Sequence, residues 1–245
     1  MTALKTAKAF LKPKAAKLAV VLSMLRSGSQ RKHLLTWLRS FEPDALLDQR
    51  LPWIVFGATD FLEDYLNRER LHGRPLRVFE YGSGGSTLFW LAFGATVVSI
   101  EHDPPWYARL RPRLDAASPV DYRLVLPEPG ETDPHGADIA DPRCYRSDDA
   151  SFQGYTFRNY VSQIDSFPGG HFDVILIDGR ARPACIQHSV DKVRPGGLLV
   201  LDNADRSYYT ARTQPCLGNF TRHEFRGPVP GITLIGRTDV YVRVR

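Results

Sequence analysis

Fourteen residues constrain this chain more than any others: Arg77-Val78-Phe79-Glu80-Tyr81-Gly82-Ser83-Gly84-Gly85-Ser86-Thr87-Leu88-Phe89-Trp90. A short apolar run closes on a carboxylate, passes through three glycines and reopens in a helix-like apolar pattern, which is how a strand, a tight loop and a helix are written. Glycines let the backbone approach a bound molecule closely, and the helix after them offers unpaired N–H groups at its start. Such a turn is suited to a ligand. A tight turn that holds nothing is the competing reading.

Beyond the turn the same grammar repeats. Strands are expected at 76–80, 96–100, 122–126, 172–177 and 198–201, with helices at 86–94 and about 105–117 between them. Near-continuous apolar strands alternating with helices imply a parallel sheet covered on both faces. Two β-like runs, 231–236 and 239–244, favour an antiparallel pair at the end of the chain. Between the third and fourth strands, residues 127–160 form a long polar connection rich in Pro, Tyr, Arg and Asp. Connections of that length in compact domains are often lids or binding loops; a neutral exposed insertion is the alternative.

The charge is unevenly placed. The net charge is +5, but residues 1–41 carry nine Lys or Arg and no acid, leaving 23 basic against 27 acidic residues in the remainder. A body with a slight acidic excess gives no support to nucleic-acid binding. In residues 1–32, Leu4, Ala7, Leu11, Ala15, Leu18, Leu22 and Leu25 recur at intervals of three and four among lysines, with Pro13 placed to bend the helix. This basic amphipathic extension suits peripheral contact with a membrane or partner; the alternative is a solvated arm that packs its leucines on the body. Its longest apolar run, 18–25, is far short of the ~20 residues that span a bilayer. A helical cap at 33–74 and a main domain at 75–245 complete the expected organisation. Three cysteines, Cys144, Cys185 and Cys216, show no metal or disulfide spacing, which suits a reducing cytoplasm.

The ligand of the turn is constrained by acids. A pyrophosphate site uses G-x-G-x-x-G against a helix start free of negative charge, whereas here Thr87 stands at the third glycine position and Glu80 precedes the turn. Glu101, 19 residues beyond Gly82 and at the end of the second strand, is spaced to accept hydrogen bonds from ribose hydroxyls. A carboxylate beside the turn suits a cationic, phosphate-free nucleoside.

At these residues the chain resembles the class I S-adenosylmethionine-dependent methyltransferases, whose first motif matches Glu80-Tyr81-Gly82-Ser83-Gly84 and whose ribose-binding acid matches Glu101. The resemblance covers roughly residues 75–245. It implies an α/β, Rossmann-like fold with a seven-stranded, mostly parallel sheet, a C-terminal antiparallel strand and helices on both faces. It also implies S-adenosylmethionine as cofactor, with Glu80, Tyr81, Gly82, Ser83, Gly84 and Ser86 around the methionine part, Glu101 on the ribose, His102 at the adenine edge, and Asp178 nearby.

Ligands of open α/β sheets sit beyond the carboxyl ends of the strands, so Asp178-Gly179-Arg180-Ala181-Arg182 and Asp202-Asn203 are the candidate reacting end. Asp178, Asp202 and Asn203 supply three oxygen donors suited to Mg²⁺ or Ca²⁺. They resemble the metal triad of catechol-type O-methyltransferases, although that family's lysine base is missing and Arg180, Ala181 and Arg182 stand in its region. A turn that caps the next helix is the alternative for Asp202-Asn203. Without a metal, Asp178, His102 or His188 is the candidate base, and Arg180 and Arg182 are candidate clamps for a carboxylate or phosphate. The expectation is methyl transfer to an oxygen, less favourably a nitrogen, of a small polar acceptor in the cytoplasm. The alternatives are an NAD(P)-dependent oxidoreductase and a catalytically inactive cofactor-binding scaffold.

Overall fold

The computed structural model describes residues 15–114, 119–130 and 138–244. Helix α1 occupies residues 15–26, and the first half of the expected basic extension, Pro13 included, lies outside the described residues. The cap continues as short helices α2 (Leu34–Arg39) and α3 (Ala45–Asp48) and the long α4 (Phe56–Leu71). Then come β1 (Arg77–Tyr81), α5 (Gly85–Ala92), β2 (Thr96–Glu101), α6 (Pro104–Leu110) and β3 (Val120–Leu124). The long connection carries its own small ladder, β4 (Glu128–Pro129) with β5 (Tyr155–Thr156), and ends in α7 (Arg158–Ser162). The chain closes with β6 (Phe172–Ile177), α8 (Arg182–Ser189), β7 (Val193–Asp202), β8 (Phe220–Pro228) and β9 (Ile235–Arg243).

Seven strands form one sheet in the order β3-β2-β1-β6-β7-β9-β8, parallel except for β9, which runs antiparallel to both neighbours. From β1 the chain moves outward through β2 and β3, then crosses back to β6 on the other side of β1. The strand order therefore reverses between β1 and β6, and a crevice opens at their carboxyl ends.

The apolar runs read as strands are buried on both faces. All six residues of β6 are buried, with Val174 and Leu176 in the core beneath α4 and α5, and Phe172, Ile175 and Ile177 in the core beneath α8. From Val174 to Ile177 alternation at period two feeds two cores from one strand. An irregularity in the register with β7 between Phe172 and Val174 puts Phe172 out of step with it.

Two expectations need correction. The third strand lies two residues earlier than expected. The terminal pair is β8 with β9, whereas residues 231–234, expected to begin it, form the turn between them. The first strand of that pair was missed because Phe220–Pro228 is a mostly exposed sheet edge, so its sequence lacks an apolar run.

Candidate functional site

The glycine turn joins β1 to α5 at the crevice. Gly82 has φ +90, a conformation strained for any residue with a side chain, and an added Cβ would lie 3.0 Å from the Asp178 carbonyl oxygen. The Asp178 N–H in turn donates to the Tyr81 carbonyl at 3.0 Å, so the ends of β1 and β6 are stitched together where the turn begins. Gly85 is needed for another reason: a Cβ there would sit 2.1 Å from the Leu51 carbonyl oxygen. The cap segment after α3 thus lies directly against the start of α5, walling that side of the turn. It is tied down by Arg109 and Arg113 of the α6 region, which pair with Asp44 and Asp48.

Glu80 does not line the crevice. Period-two alternation sends its side chain to the α5 face of the sheet, with Val78 and opposite Ser99. There it is wholly buried, accepting hydrogen bonds from the Ser99 hydroxyl at 2.7 Å, the Trp90 indole N–H at 3.0 Å and the Thr87 hydroxyl. Burial raises its pKa to about 7, against the lowering effect of those donors. The residue braces the turn from behind, which corrects the expectation of direct contact with a ligand. Tyr81 is likewise internal, its hydroxyl donating to the Val161 carbonyl at 2.6 Å. Ser86 is buried at the helix start, and the Gly84 N–H donates to Thr87 Oγ1 at 3.0 Å.

Glu101 does meet the turn. Its Oε2 accepts from the Ser83 hydroxyl at 2.7 Å and the Ser83 N–H at 3.2 Å, while Oε1 accepts from the N–H groups of His102 at 2.7 Å and Asp103 at 2.9 Å. Burial works to raise its pKa, but the hydrogen bonds from His102, Ser83 and Asp103 outweigh it and hold the carboxyl below its usual range. A charged acceptor is therefore fixed beside the glycine turn. The Trp106 indole N–H donates to the Ser83 carbonyl at 2.8 Å, and its ring would stand 3.7 Å from a Cβ at residue 84. Sequence reasoning missed Trp106; its place in the first turn of the helix after Glu101 was the available signal.

His102 has one nitrogen in a hydrogen bond, while the other lies close to Glu101 without hydrogen-bond geometry. Nε2 lies 3.1 Å from Arg180 Nε, a permanent donor, so Nε2 is the acceptor; Nδ1 faces Glu101 at 2.9 Å. Phe152 of the long connection packs against both the His102 ring and the Arg180 guanidinium. Arg180 also pairs with Asp149 at 3.0 Å, and one residue earlier Asp148 pairs with Arg206 at 3.0 Å and accepts from Tyr208. Residues 148–152 of the long connection are latched by these contacts to His102 after β2, Arg180 after β6, and Arg206 and Tyr208 after β7. A narrow cleft remains beside the latch, lined by Arg146, Asp148, Gly179, Arg180, Tyr208 and Tyr209 among others.

The structure brings Asp178, Asp202 and Asn203 to adjoining strand ends, but not as a metal cage. Arg182 Nη2 bonds Asp178 Oδ1 at 3.0 Å, its Nε bonds the Gly179 carbonyl at 3.0 Å, and Nη1 bonds the Asp202 carbonyl. Both expected arginine clamps are therefore already matched by carboxylates of this chain, Arg180 by Asp149 and Arg182 by Asp178. Asp202 is enclosed, with Oδ1 taking the Thr238 hydroxyl at 2.6 Å and Oδ2 taking the Asn203 amide at 2.7 Å. Asn203 thus presents a donor to its neighbour, and the guanidinium supplies the positive charge. This donor set does not fit Mg²⁺, and among the described residues no cluster of three or more His, Cys, Asp or Glu is arranged for a metal. Asp178 stands in the loop after β6 and Arg182 opens α8, so no helical spacing announces the pair in the sequence. Burial and the neighbouring Asp202 raise the Asp178 pKa, with Arg182 opposing them.

Strand order, the β1–β6 crevice and the antiparallel β9 together define the class I S-adenosylmethionine-dependent methyltransferase fold. No protein-family model and no curated protein sequence matches the chain. Among solved structures, a Klebsiella pneumoniae protein whose O-methyltransferase assignment is itself provisional is 17% identical, with a TM-score of 0.52 over 91% of this chain and 100% of that one. An O-methyltransferase from Bacillus cereus in complex with SAH is 18% identical over 68% of this chain and 73% of its own, with a TM-score of 0.44. A Burkholderia thailandensis 1,6-didemethyltoxoflavin-N1-methyltransferase is 13% identical over 95% and 91%, with a TM-score of 0.43. At 17% identity the likeness to the Klebsiella pneumoniae protein is one of fold.

Proposed function

We propose that the chain is an S-adenosylmethionine-dependent methyltransferase acting on an oxygen, less favourably a nitrogen, of a small polar acceptor. The observation that carries this reading is the pairing of Glu101 with Ser83: a carboxylate held ionised at the end of β2, against a glycine turn that a Cβ would fill, at the point where strand order reverses. Those residues fit a nucleoside that carries positive charge and no phosphate. In this reading Ser83, Gly84 and Ser86 hold the methionine part, Glu101 takes the ribose hydroxyls, and His102 borders the base. Glu80 acts through α5, by fixing the turn.

The cofactor supplies an activated methyl group, so the protein's work is positioning the acceptor and removing its proton. Asp178 is placed for the second task. Its side chain is still about a quarter exposed, and its raised pKa brings a carboxylate toward the range in which it accepts protons from an acceptor hydroxyl. In this reading the acceptor enters beside the latch, near Tyr208 and Tyr209. The cleft there, about 10 Å³, has room for one water and does not reach Asp178, so the connection has to shift for an acceptor to meet that carboxyl. The Arg182 pair keeps the β6 and β7 ends together without a divalent ion.

Calorimetric titration with S-adenosylmethionine and with NADH separates this reading from an oxidoreductase. The expected result is binding of the former only, weakened roughly tenfold to a hundredfold in Glu101→Gln, the effect of one lost charge-assisted hydrogen bond. Binding of NADH alone would overturn the reading, and unchanged affinity in Glu101→Gln would remove that residue from the site.

A further inference from the structure

Helix α1 turns its leucines the wrong way for a simple structural arm. At 100° per residue, Leu18, Leu22 and Leu25 form one stripe, and Val20 and Met24 lie on the opposite side. Val20 and Met24 are the buried ones, packed with Trp37 and Phe56. The leucines are 58%, 42% and 42% exposed. Helix α2 repeats the arrangement: Trp37 is buried, while Leu35 and Leu38 are 66% and 38% exposed. The two helices share one small core and present five leucines outward, an apolar display that soluble surfaces ordinarily avoid.

The charges that this segment itself carries have one sign. Arg26, Arg31, Lys32 and Arg39 are exposed on the same segment, and residues 1–41 contain nine basic side chains and no acid. Asp60 answers Lys32 from α4 at 2.9 Å, and Lys17 lies over the Phe41 ring at 4.1 Å, leaving the excess strongly positive. Outward leucines on a segment whose only charged side chains are Lys and Arg match an anionic lipid surface, where acyl chains take the leucines and headgroups take the charge. No helix among the described residues is long and apolar enough to cross a membrane.

We propose that the α1–α2 surface docks the protein peripherally on anionic bilayers, independently of methyl transfer. The test is co-sedimentation of the full chain with vesicles of phosphatidylcholine alone or with one-third phosphatidylglycerol, at low and high salt, beside the triple variant Leu18→Ser, Leu22→Ser, Leu25→Ser. Because these leucines are exposed, the variant should keep its circular dichroism and melting temperature. The expected result is binding to the anionic vesicles only, weakened by high salt and at least tenfold weaker in the triple variant. Absence of binding to anionic vesicles at low salt would overturn the proposal, as would equal binding by the variant. So would sedimentation velocity that shows the leucines holding two copies of the chain together without vesicle binding.

Discussion

Glu80 offers the sharpest test of how this site is built, because a wholly buried carboxyl with a displaced pKa must make stability depend on pH. Its pKa is raised from 4.5 to about 7 by burial, so the native state holds a proton that the unfolded chain releases. The stabilising contribution is therefore full below the unfolded pKa, declines as pH rises from about 4.5, and is gone above about 7. The displacement corresponds to about 3 kcal/mol in total, of which about 2.5 kcal/mol is lost between pH 5 and 8.5. Asp178, Asp202 and Asp239 are displaced in the same direction, so the wild-type slope alone cannot be assigned. Glu80→Gln isolates the effect, since Gln keeps the shape and cannot titrate. Urea unfolding at intervals across this range, read by tryptophan fluorescence with Trp90 as the indole nearest the substitution, should show wild type losing about 2.5 kcal/mol more than the variant. Parallel curves separated by a constant offset would refute the assignment, because Glu80 would then keep one charge state throughout.

Arg182→Met should destabilise the fold by about 2–4 kcal/mol, because the Gly179 and Asp202 carbonyls lose their donor and Asp178 can escape charge by taking a proton, and should lower the melting temperature by about 4–16 °C. Wild-type melting should not respond to millimolar Mg²⁺; a clear rise would restore Asp178, Asp202 and Asn203 as a metal site. The latch pairs are half-exposed, so Asp148→Asn with Asp149→Asn should change global stability by less than about 2 kcal/mol. Amide exchange in residues 145–157 should nevertheless speed up about fivefold for each kcal/mol of latch removed. Unchanged exchange there would show that the connection is held by its packing alone.

The strand-loop-helix grammar around Gly82, the parallel core strands and the crevice at their carboxyl ends were legible in the sequence, because each rests on local periodicity or on a backbone shape that only glycine takes freely. Glu101 was legible for the same reason: the distance from a glycine turn to the end of the next strand is a local length. What tertiary structure decided were directions and partners. Glu80 ends a strand next to the crevice, yet alternation and the buried hydroxyls of Thr87 and Ser99 draw its carboxylate to the other face. Asp178 and Asp202 read as a metal pair until Arg182 and Thr238 are brought between and around them. Arg180, which reads as an acceptor clamp, finds Asp149 from a connection some thirty residues away, and Arg206 finds Asp148 beside it. The leucines of residues 18–25 announced an amphipathic helix, but only the docking of Val20 and Met24 onto Trp37 determined which face looks outward. Spacing along a chain records which residues share a local face; which charges neutralise one another, and which face is buried, depends on elements far apart in sequence that meet only when the sheet closes.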